Sequence, residues 1–162
     1  MNRVTLFFWV IFVQIFILNN IQLSGYINPY YYLIFILYTS SKNSKVSILL
    51  SSFLIGFTID IFSNSYGTHA FASVLTAYLK IIWPAKLTNN KDSDEVVEMD
   101  NLSISEFLIF SLYFILIHHF TLFFLERCDF SEILSVLGLT LTSTIFTLFL
   151  FIIHKLFSSK RI

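Results

Sequence analysis

Six stretches of mainly apolar residues, at about 4–21, 26–40, 46–62, 69–83, 106–125 and 133–157, alternate with shorter polar segments along the chain. A membrane-crossing helix needs roughly 17–25 such residues. The pattern therefore predicts an all-α integral membrane protein, a bundle of six transmembrane helices. The second and fourth are short, as expected of helices that tilt little, thin the bilayer locally or stop before a full crossing.

Boundary chemistry marks the same elements. Pro29 is placed to open the second helix, where its missing N–H is harmless, and Tyr30, Tyr31 and Tyr32 read as an aromatic anchor at the outer interface. Ser103 and Glu106 have capping-box spacing at the start of the fifth helix, with Leu102 and Phe107 spaced as a hydrophobic staple. Asp129 and Glu132, flanked by Cys128 and Ile133, repeat that pattern ahead of the sixth. Trp83-Pro84 closes the fourth helix. Arg3 before an apolar run resembles a secretory signal, but the run is too long and no small-residue cleavage site follows, so a retained helix is expected.

Composition removes the soluble alternative. Of 162 residues, 56% are hydrophobic and only 12% charged, with 20 Phe, whereas soluble domains are about 25% charged. One transmembrane domain over residues 1–162 is expected, with an acidic cytoplasmic loop at about 84–102 that holds Asp92, Asp94, Glu95, Glu98 and Asp100. Net charge is zero and the basic residues are scattered, so no nucleic-acid partner is expected. Cys128, the single cysteine, has no partner in the chain for a disulfide.

Charge also orients the bundle. With the N-terminus inside, Arg3, Lys42, Lys45, Lys80, Lys86, Lys91, Lys155, Lys160 and Arg161 fall on the cytoplasmic side and only Arg127 falls outside. This asymmetry predicts that both termini are cytoplasmic and the number of spans even.

Asp60 is the one formally charged residue that the pattern buries within an apolar stretch, and an ionisable group at membrane depth is a functional or architectural site by default. It lies near the outer end of the third helix, where exposed carbonyls disfavour a carboxylate. A Ser63-Asn64-Ser65-Tyr66-Gly67 turn follows, and Thr68 is placed to cap the fourth helix. Asp60 is therefore expected to fold over the turn and accept hydrogen bonds from the start of the fourth helix. Gly56, one turn earlier, allows a close backbone approach. His69 is near enough in sequence to pair with Asp60. A proton or cation site is the functional alternative; an aspartyl dyad needs a second intramembrane acid, which the sequence lacks.

Other chemistry is sparse. His118 and His119 are about 100° apart on a helix, and His69 and His154 lie towards opposite faces, so no closed metal-ligand set is expected. Gln14 in the first helix and Thr140, Thr142, Ser143, Thr144 and Thr147 in the sixth read as interhelical hydrogen-bonding groups, with Gly138 and Thr142 as a small-xxx-small pair. A lined substrate cavity is the sharper alternative for the sixth helix. No phosphate loop, nucleophile set or zinc signature occurs, and neither catalysis nor a cofactor is expected.

Over about residues 49–79, Gly56-x-x-x-Asp60 followed by Phe62-Ser63, Gly67 and a helix rich in small residues (Ala70, Ala72, Ser73, Ala77) resembles the family of the rod shape-determining protein MreD. The Leu18-Asn19-Asn20-Ile21-Gln22-Leu23 and Asn28-Pro29 segments resemble the outer loop of its Bacteroidota-type members. The resemblance carries over Gly56, Asp60 and Gly67. It implies a non-enzymatic component of the bacterial inner membrane that supports lateral peptidoglycan synthesis and cell shape. Its implied partners are MreC, MreB, RodA with its transpeptidase, and membrane lipid. It also implies a fold like the substrate-binding subunits of energy-coupling-factor transporters, so a small-solute transporter subunit is the competing expectation. A lipoprotein signal peptidase fails on helix count and on the missing second aspartate.

Overall fold

The computed structural model describes residues 2–21, 28–40, 43–82 and 98–158. Every element among them is helical. They are α1 (Arg3–Phe12), α2 (Leu33–Tyr38), α3 (Lys45–Ser63), α4 (Thr68–Ile82), α5 (Ile104–Arg127) and α6 (Ile133–Ser158). Trp83-Pro84 and most of the acidic segment expected at about 84–102 lie outside the described residues.

Among the described residues, four helical segments are long and apolar enough to cross a membrane: Arg3–Asn20, Lys45–Ser63, Ile104–Arg127 and Phe130–Ser158. Their outer faces carry exposed Phe8, Phe12, Phe57, Ile109, Leu141 and Phe149, as expected of helices that meet lipid. The first segment is not uniform, because α1 widens at Val13–Ile17 into a single π turn and tightens into a 3₁₀ turn at Leu18–Asn20. The Asn20 amide donates to the carbonyls of Ile15 and Phe16, closing the irregular end.

Residues 28–40 do not form the long second helix. Pro29 sits in a non-helical stretch ahead of Leu33 rather than at a helix start, and α2 has six residues, about 9 Å of helix. Leu33, Ile34, Phe35, Ile36 and Leu37 are all buried, so α2 is enclosed by the bundle on every side. Backbone left unpaired at this depth needs partners from the protein. Gln14, fully buried in the π turn, donates from Nε2 to the Pro29 carbonyl at 3.1 Å and accepts the Tyr32 N–H at Oε1. The Tyr30 N–H donates to Thr147 Oγ1 at 3.0 Å. At the other end, the Lys80 ammonium reaches from α4 to the carbonyls of Ile36, Leu37 and Thr39. A cation there meets the orphan acceptors and the negative end of the helix dipole together.

Lys80 and Lys155 thus correct the expectation that Asp60 is the lone buried charge. Lys155 is also buried and donates to the carbonyls of Met99 and Asp100. The described end of the acidic segment is docked rather than solvated: Met99 is buried in the core, and Ser40 Oγ donates to Glu98. The tightest pairing in the bundle joins α3 to α4, followed by α5 to α6.

The two expected caps resolve differently. At α5, Ser103 Oγ accepts the Glu106 N–H while Glu106 Oε2 accepts the Ser103 N–H, a complete capping box. Before α6, Asp129 instead accepts the Ser131 N–H at 2.8 Å to start a 3₁₀ turn, and Glu132 turns away to pair with Arg127. The Gly138–Thr142 pair is not a close-packed seam at its glycine: a Cβ on Gly138 would meet nothing within 4 Å, and Thr142 Oγ1 donates to its own helix.

Candidate functional site

The α3–α4 connection is built around Asp60. Asn64 ends α3 in the left-handed region at φ 55°, and Tyr66 and Gly67 follow at φ 53° and 93°. A φ of 93° is reached without strain by Gly, so Gly67 is suited to the last position before α4. This reversal brings the first N–H groups of α4 over the side chain of Asp60. Oδ1 accepts the His69 N–H at 3.0 Å and the Ser65 hydroxyl at 2.6 Å; Oδ2 accepts the Ala70 N–H at 2.8 Å.

Asp60 therefore caps a helix that is not its own. Charge-assisted bonds to the positive end of α4 let a carboxylate sit 95% out of solvent contact, with 5% exposed. Thr68 does not serve as the cap. It is the first residue of α4, and its hydroxyl donates back to the Ser65 carbonyl. Gly56 packs beneath, with the backbone of His69 and Ala70 directly against its Cα.

His69 pairs with Asp60 through its peptide, not its ring. The ring is directed into the bundle, where Nδ1 lies 2.9 Å from Tyr32 Oη. The same hydroxyl lies 2.7 Å from His118 Nε2, and His118 Nδ1 is 3.3 Å from Thr76 Oγ1. The direction of these bonds follows from the last of them. Thr76 spends its proton on the Ala72 carbonyl at 2.7 Å, so it accepts from His118 Nδ1–H. With a neutral ring, His118 Nε2 is then an acceptor, Tyr32 donates to it, and Tyr32 accepts from His69 Nδ1–H. One directed chain runs from α4 through Tyr32, just ahead of α2, to α5 and back to α4.

Tyr30 packs its ring against His69 and His119 at 5.2 Å between centroids. His119 faces the other way from His118, towards Thr144 and Thr147 of α6. The three tyrosines are consequently interior: Tyr32 is 0% exposed, and Tyr30 and Tyr31 are buried with it. The expected interfacial anchor is replaced by a buried network because each of the three finds aromatic or imidazole neighbours inside the protein. His154 joins Tyr31 separately, Nδ1 to Oη at 2.6 Å.

Of the positions carried by the resemblance, Gly56, Asp60 and Gly67 meet at one turn, and His69 links that turn to the buried network. The network itself was not anticipated from sequence. Its only sequence signal is the presence of His69, His118 and His119 in apolar stretches opposite a Tyr triplet. Among the described residues, no group of three His, Cys, Asp or Glu side chains converges as a metal site. What the arrangement does chemically is hold helices in register, through one ionised clasp and one chain of neutral hydrogen bonds. No protein-family model, curated protein or solved structure matches the chain.

Proposed function

We propose that the chain is a non-enzymatic scaffold of the bacterial inner membrane, of the MreD type, which binds MreC through its transmembrane helices. In this role it supports lateral peptidoglycan synthesis and cell shape together with MreB and RodA with its transpeptidase. The observation that carries the reading is that Gly56, Asp60 and Gly67 form one structural unit, the α3–α4 clasp. In this reading six segments traverse the membrane, the second of them broken at residues 28–40, with both termini cytoplasmic. Arg3, Lys80 and Lys155 support that orientation. Arg3 bonds Ser51 and stacks over Phe35, Lys80 caps α2, and Lys155 holds Asp100 beside the Ser40–Glu98 contact, so the three cations share one end of the bundle. Depletion of the protein should round the cells and release MreC from its complex; rods of normal shape with an intact complex would refute the reading.

A second reading, a membrane subunit that binds a small vitamin-type solute, draws on α6. The hydroxyls of Thr140 and Ser143 are buried without a partner among the described residues, and such groups suit a ligand's polar atoms. Purified protein that carries no solute and shows no thermal shift with vitamins would exclude it.

A further inference from the structure

A cavity of about 840 Å³ lies between α1 and the C-terminal half of α6. Its size falls within the range of small-molecule sites, about 300–1,000 Å³. A membrane-crossing helix is a cylinder of roughly 2,400 Å³, so the cavity takes part of a smaller molecule and not a partner's helix. Leu6, Trp9 and Val13 form one wall and Leu150, Ile153 and Phe157 the other.

One part of the lining is polar, and it is incompletely satisfied. Lys155 gives hydrogen bonds to two carbonyls, those of Met99 and Asp100. An ammonium has three protons to give, and no carboxylate lies within ion-pair distance of it among the described residues. Asp100 lines the same cavity. One cation and one acidic residue thus border the space, together with the polar Tyr31, His154 and Ser158 and a wall of hydrocarbon.

The geometry points to a binding site for one zwitterionic phospholipid of the phosphatidylethanolamine class. Its phosphate meets Lys155, its ammonium meets Asp100, and an acyl chain lies along the α1 and α6 walls. A headgroup with both signs of charge matches this lining, whereas an anionic headgroup places its net charge beside Asp100. The inference stands independently of the scaffold reading, because it uses no residue of the α3–α4 clasp.

The test uses the full chain in mild detergent, with native mass spectrometry after addition of phosphatidylethanolamine, phosphatidylglycerol or free fatty acid of matched chain length. One phosphatidylethanolamine should be retained, with about tenfold preference over each of the other two, the effect of one charge-assisted contact. Leu150→Trp, which fills the cavity, should abolish retention while thermal unfolding verifies its fold. Asp100→Asn leaves the backbone carbonyl that Lys155 uses and should erase the preference over phosphatidylglycerol. Equal retention of the three probes by the unaltered protein, no retained lipid, or full retention by Leu150→Trp would each overturn the proposal.

Discussion

The carbonyl oxygen of His69 lies 2.5 Å from the point where a Cβ on Gly56 would stand, and Ala70 Cα lies 2.6 Å from it. Both obstructing atoms are backbone, so α3 and α4 must separate before any side chain fits. Gly56→Ala should therefore lower stability by about 1–3 kcal/mol, the usual cost of overpacking, seen as a fall in the thermal unfolding midpoint in detergent. Gly138→Ala is the control, since its site is open. An unchanged midpoint for Gly56→Ala would contradict the contact.

Asp60 variants separate shape from charge. Asp60→Ala orphans two N–H groups of α4 and should cost about 1.5–3 kcal/mol for each charge-assisted bond lost. Asp60→Asn with its oxygen at the Oδ1 position keeps His69 and Ser65 but turns an NH₂ towards the Ala70 N–H. Its loss should lie between those of the unaltered protein and Asp60→Ala. Full assembly and activity of Asp60→Asn would also exclude any role that needs ionisation.

Tyr32→Phe removes the hydroxyl shared by His69 and His118. The expected loss is about 1–3 kcal/mol for each buried group left unpaired. Imidazole nitrogen signals of both histidines should move in NMR spectra, while the ring of His119, held by Thr144 and Thr147, moves less. Movement of the His119 signals alone would show that the chain runs elsewhere.

Replacing Lys80 by Met keeps the length of the side chain but strips the carbonyls of Ile36, Leu37 and Thr39 of their donor. About 1–3 kcal/mol should be lost. Hydrogen exchange should accelerate at the amides of α2 more than at those of α5; uniform acceleration would point to global destabilisation instead.

Outside the spans, Asp129 is fully exposed, and the Ser131 N–H it accepts holds its carboxyl below the ordinary value of 3.8. A lowered folded-state pKa contributes stability above the unfolded value and loses it as pH falls through the folded one. The Ser131 amide signal should titrate with a midpoint below 3.8. A midpoint above it would mean that the cap is not formed in solution.

The clasp was legible in the sequence because its parts are near neighbours along the chain. An acid at the end of one apolar run, a turn with Asn and Gly, and a new helix start leave few places for the carboxylate to go. The tyrosine–histidine chain was not legible because Tyr32 is 37 residues from His69 and 86 from His118, and periodicity carries no information about such pairings. Tyrosine is also ambiguous by chemistry. An apolar ring with a polar tip suits a membrane interface and a buried hydrogen-bond network equally well. The burial of Lys80 was not legible for a related reason: counting cations by side of the membrane treats each as solvated, while its four-carbon stem lets the charge reach acceptors inside.

The enclosure of α2 bears on the order in which the protein assembles. A helix of about 9 Å cannot hold itself across a hydrocarbon layer of about 30 Å, and its free carbonyls are unwelcome there until Lys80 arrives from α4. The carbonyls at the end of α2 therefore stay without their donor until α4 is packed beside it. Completion of the second segment thus depends on a residue that lies some forty positions later in the chain.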